Sequence, residues 1–161
     1  MALSDRDYMR KGGPSFLVPA NWTLRLIVAL VVAWLLQMAL HSWFRADVVG
    51  WFALSRDGLA GGRVWGLVTY ALLHAGTGHL FWNCLALWFF GDLVERSIAP
   101  EDVPRFGVFS ALAGGVGYVL GGFLGGATGH VVGASGIVSA VLAFGAVRHP
   151  NLTVRLFFVI P

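Results

Sequence analysis

Residues 22–40 read WTLRLIVALVVAWLLQMAL, a run whose only charge is Arg25. At about 1.5 Å per helical residue, such a run crosses a hydrocarbon core of about 30 Å, and Arg25 is near enough to one end to snorkel. The whole chain supports a membrane reading. It has 161 residues, 57% hydrophobic and 12% charged, where a soluble domain is about 25% charged. The net charge of +3 is too small to suggest a nucleic-acid partner, and most basic residues flank apolar runs. The single cysteine, Cys84, excludes a disulfide framework. No secretory signal pattern is present, so residues 1–21 read as a cytoplasmic tail and the first run as an uncleaved span.

The expected fold is all-α: a polytopic transmembrane helical bundle of four spans plus the start of a fifth, with residues 22–161 as one membrane domain. After the first span, residues 41–73 mix Trp and Phe with Arg, Asp and Gly. That composition suits a structured segment of short amphipathic helices lying in the membrane interface. The second span is expected at Gly78–Val94. A polar loop with two prolines follows, and then a third span at Phe106–Gly126. Gly117, Gly121 and Gly125 recur every four residues, which predicts a smooth face for a neighbouring backbone. The fourth span, Ala134–Val147, is about 21 Å long and too short to cross. The preceding GATGHVVG must therefore dip below the surface, where non-helical backbone survives only against protein or a wet cavity. LTVRLFFVIP, at the end, reads as the opening of a fifth span. With the N-terminus inside, eight Lys and Arg residues lie on the cytoplasmic side against three outside.

Ser135, in the stretch GHVVGASGIVSA, opens the fourth span after a glycine-rich turn. Unpaired N–H groups and a positive dipole end there would stabilise an oxyanion, and Gly133 and Gly136 would let a substrate backbone approach. The ordinary alternative is an N-cap serine. His79 and Asn83, four residues apart, share a helical face near the top of the second span, with His74 in the approach. Polar side chains inside a span suggest function, here donation to an oxyanion; interhelical hydrogen bonding is the competing use. A zinc site on His74, His79 and His130 is disfavoured, because no nearby carboxylate or H-E-x-x-H motif accompanies them. No cofactor is expected.

H-x-x-x-x-H-x-x-x-N on the second span, with G-A-S-G some fifty residues later, resembles the rhomboid intramembrane serine proteases. RVWGLVTYALLHAGTGHLFWN, FFGDLVER with Glu95, and GYVLGGFLGG also resemble rhomboid segments. The resemblance runs from about residue 20 to the end. It implies Ser135 as nucleophile, an oxyanion hole from His79, Asn83 and the Ser135 N–H, and support of the first loop and site by His74. It further implies acyl-enzyme hydrolysis of transmembrane protein substrates. The family's general base is a histidine on a sixth span, which would lie past Pro161. His149 cannot replace it, at about 21 Å from Ser135 along one helix; nothing visible in the sequence orients His130. Two positions depart from the pattern. Gly66 follows Trp65 where the family often has arginine, leaving Arg63 to fix the loop, and Ser139 replaces a tyrosine. The competing function is a catalytically inactive rhomboid-like protein that binds and escorts membrane clients. A channel or transporter is less well supported, since no inverted repeat is visible. A bacterial inner membrane is the default location.

Overall fold

The computed structural model describes residues 22–123 and 129–150. Within them lie seven α-helices: α1 (Trp22–Phe44), α2 (Val48–Phe52), α3 (Arg56–Ala60), α4 (Gly66–Thr69), α5 (Thr77–Glu95), α6 (Val103–Phe123) and α7 (Ser135–Arg148). Two of them, α1 and α6, are long and apolar enough to cross a membrane by length and composition. The expected cytoplasmic tail and the start of a fifth span fall outside the described residues.

The long helices pack in the order α1, α5, α7, α6. In α1 only Leu30 is buried, while Val28, Val31, Val32, Leu35 and Leu36 are exposed. Apolar side chains on an outward face mark a helix solvated by lipid. The buried stripe of α5 runs through Leu80, Asn83, Leu87, Gly91 and Val94, and rings at Phe81, Trp82, Trp88 and Phe89 face outward. The packed face of α7 is Ile137, Val141 and Gly145, one residue per turn. These stripes meet in a core with Leu54, Tyr70, Ala71 and Ala111.

Residues 48–72 fold as expected into short helices. Asp47 and Ser55 cap α2 and α3 by accepting from the N–H groups of Gly50 and Gly58, a local use of short polar side chains that starts a helix without help from packing. Trp43, Phe44, Trp51, Phe52 and Trp65 remain exposed, as an interfacial segment requires. The departure at Gly66 has a steric reason. A Cβ there would meet the Ala53 carbonyl at 3.1 Å, so glycine lets the loop close on itself. The Trp65 indole N–H donates to the Trp51 carbonyl, and Arg63 lies over the Trp51 ring at 6.0 Å.

The α6 glycines work differently from the expectation. Gly117 and Gly121 have open space where a Cβ would stand, and Gly125 lies outside the described residues. The close approach is made instead by Gly114, whose Cβ would come within 3.2 Å of the Gly136 Cα, and by Gly115 against the Leu67 carbonyl. The reason is where α7 begins. Gly114 faces its first turn, so Gly121, two turns further along α6, has passed the end of the partner helix. By the same geometry the start of α7 lies about 14 Å along α6 from its C-terminal end.

Glu95, at the end of α5, accepts from the backbone N–H groups of Trp22 and Thr23. A carboxylate there satisfies orphan donors and complements the positive end of α1. Glu95→Gln should lower stability in detergent by about 1–2 kcal/mol. An unchanged melting temperature would show that this contact does not hold the first helix.

Candidate active site

The floor of the site is the turn into α7. Gly133 has φ +120°, a value that favours glycine. Ala134 is fully buried and forms the N-cap, with no side-chain cap hydrogen bond. Ser135 is the first helical residue, and it is exposed. The serine is therefore not the cap, and its hydroxyl is left at the mouth of a helix whose first-turn N–H groups lack intrahelical partners. Ser139 is exposed one turn on.

His79 stands in the first turn of α5, and its ring rests on Gly133. A Cβ at Gly133 would lie 2.6 Å from Nε2, so a bare Cα at residue 133 is a condition for the imidazole's position. Asn83, one turn deeper, is buried, and its amide donates to the His79 carbonyl at 3.0 Å. That contact uses one of its two N–H groups. His74 is 1% exposed and meets His79 edge to face, with ring centroids 5.2 Å apart. The structure thus sets His79 against Gly133 just before α7, with His74 beside its ring and Asn83 one turn along α5.

The first loop fixes this arrangement from outside. Leu54 and Val131 form an antiparallel bridge, exchanging hydrogen bonds of 3.1 and 2.7 Å. The Gly133 N–H donates to the Tyr70 carbonyl at 2.9 Å. The Gln37 side chain brackets His74, its amide donating to the His74 carbonyl and its oxygen accepting from the His74 N–H. The Tyr70 hydroxyl donates to the Ala111 carbonyl, and burial raises the phenol's pKa, so it stays a donor. These contacts give the pre-serine backbone the protein lining that irregular structure at depth requires.

Gly133 and Gly136 are occupied by the protein itself. The His79 ring fills the space at Gly133, and the Tyr70 hydroxyl, 2.6 Å from a Cβ at Gly136, fills the other. His130 is exposed and lines a separate cleft with Arg56 and Asp57. His149 sits at the far end of α7. No group of three or more His, Cys, Asp or Glu residues is arranged for a metal among the described residues. Sequence reasoning missed Gln37, Tyr70 and Gly114. Gln37 alone carried a signal, as an amide within an otherwise apolar span.

Burial, and secondarily the neighbouring His79, lower the His74 pKa from 6.5 to about 4. Neither ring nitrogen has a hydrogen-bond partner among the described residues. The folded state then binds fewer protons than the unfolded state between these values, so stability falls as pH drops from about 6.5 towards about 4. The slope is on the order of 1 kcal/mol per pH unit. His74→Phe preserves the ring contact and should flatten that slope in melting curves at pH 7 and pH 5. An equally steep slope in the variant would exclude His74 as its source.

Comparison with known proteins adds two findings. The Rhomboid domain family model matches residues 61–161. The chain is also 31% identical over 124 residues to the RHOMBOID-like protein 12, mitochondrial, of Arabidopsis thaliana. That match covers 68% of this chain and 37% of the relative's length.

Proposed function

This chain belongs to the rhomboid family, and on that premise we propose that the full-length protein is an intramembrane serine endopeptidase acting on transmembrane protein substrates. The observation that carries the reading is the seating of His79 on Gly133, two residues before an exposed, non-capping Ser135. The Ser135 hydroxyl attacks the scissile carbonyl and gives its proton to a general base. The oxyanion is met by the Ser135 N–H, the His79 ring and the free N–H of the Asn83 amide. Collapse breaks the C–N bond as the base returns its proton to the leaving amine, and the acyl-enzyme left on Ser135 is hydrolysed by a water that the same base deprotonates. The resemblance to rhomboid proteases implies that the base is a histidine of a sixth span, which must lie within about 3 Å of the hydroxyl or reach it through one water. The protein is an integral membrane protein. Four spans with a cytoplasmic N-terminus, placed in a bacterial inner membrane, complete the proposal.

The second reading is a rhomboid-like protein that escorts membrane clients without cleaving them. It is favoured by the lack of a histidine base beside Ser135 among the described residues. One experiment separates the two. The full-length protein in detergent is treated with a fluorophosphonate probe, and the adduct is mapped by mass spectrometry. The protease reading requires the adduct on Ser135. No adduct, or one elsewhere, rejects it in favour of the escort.

A further inference from the structure

We propose that Tyr70 is a positioning residue for the nucleophile, holding the turn before Ser135 with its main chain and the helix after it with its side chain. The inference rests on the protease reading above. Tyr70 is 2% exposed and sits in a short 3-10 turn, Tyr70–Leu72, between the first loop and α5. Its carbonyl accepts from the Gly133 N–H at 2.9 Å. Its hydroxyl donates to the Ala111 carbonyl of α6 at 3.0 Å and lies against Gly136 of α7. One residue therefore bonds the backbone before Ser135 through its carbonyl and packs its hydroxyl against Gly136, just after it.

The side-chain grip is set by two glycines. A Cβ built on Gly114 or on Gly136 would lie 2.6 Å from the Tyr70 hydroxyl oxygen. The hydroxyl, and not the ring, occupies the slot where the helices cross, since the Gly114 Cβ position is 4.0 Å from the ring carbon Cζ. A tyrosine used only as core filling would need one acceptor and no slot. Here the oxygen acts as a spacer that fixes how far the first turn of α7 can slide towards α6. His79 rests on Gly133, whose N–H is held by the Tyr70 carbonyl and not by the hydroxyl. Removing the spacer lets the Ser135 hydroxyl and N–H move relative to His79, which misaligns the groups facing the oxyanion while leaving the substrate's remote contacts intact.

Tyr70→Phe in the full-length protein tests this, with a transmembrane peptide substrate and the fluorophosphonate probe. The expected result is a fall of about tenfold in kcat and in probe labelling rate, at unchanged KM and with little change in melting temperature. Gly114→Ala provides a second, purely structural readout. It should lower the melting temperature in the wild-type background and lower it less in Tyr70→Phe, where the 2.6 Å contact has gone. Unchanged kcat in Tyr70→Phe overturns the proposal, as does a loss that follows the melting temperature, or equal Gly114→Ala effects in both backgrounds. A wild-type protein that reacts with neither reagent overturns the protease reading and this one with it. A reactive wild type with an equally reactive Tyr70→Phe overturns only this one.

Discussion

Ser135→Ala in the full-length protein is expected to abolish cleavage of a transmembrane substrate, a loss of at least about 10⁴-fold, while stability changes by no more than about 0.5 kcal/mol. The two halves of this expectation come from different observations. Activity falls because the acyl intermediate has no other hydroxyl in place; Ser139 is a full turn further along the helix. Stability holds because the cap of α7 is Ala134 and no side-chain cap hydrogen bond is made there. An N-cap serine would behave in the opposite way, costing about 1 kcal/mol on truncation whatever its chemistry. Thermal melting in detergent beside a gel-based cleavage assay reads both quantities. Residual cleavage would remove Ser135 from its role, and a destabilised variant would return it to capping.

Gly133→Ala should have the next largest effect, damaging stability and activity together. Two separate terms act at this position. The φ of +120° is unfavourable for any residue with a Cβ, at a cost on the order of 1–3 kcal/mol. The new methyl group would also drive into the His79 ring, 2.4 Å from Cε1. The ring has to move, and on the oxyanion role proposed for His79 that movement costs about 10²-fold or more in kcat. Gly129 supplies the control. It has a similar φ of +126° but nothing within 4 Å of its Cβ position. Gly129→Ala should show the backbone term alone, so the difference between the two variants isolates the collision with His79. Equal melting temperatures for the two would mean that the imidazole does not rest on residue 133.

The features legible in the sequence are those set by length or by a polar group in an apolar setting. The short α7 could be read because fourteen residues do not cross a bilayer. His79 and Asn83 could be read because a span rarely tolerates such side chains without a use. What stayed hidden depended on where one helix meets another. Gly117 and Gly121 have the spacing of a packing face, and Gly114 precedes them on the same helix. Only the starting point of α7 decides which of them touches a neighbour. Tyr70 gives no sign in sequence of its acceptor, because the Ala111 carbonyl belongs to backbone 41 residues away. Whether Ser135 or Ala134 caps α7 is a difference of one residue, finer than residue patterns resolve.

The bridge between Leu54 and Val131 also bears on how the protein is made. A ribosome delivers the first loop long before the segment that pairs with it. Until then Leu54 and Tyr70 have no Val131 or Gly133 to pair with, and the pre-serine turn does not exist. The turn before Ser135 is thus set by the late arrival of α7 against a waiting loop. A nascent chain halted after α6 holds His79 and Asn83 of α5 without Gly133 or Ser135.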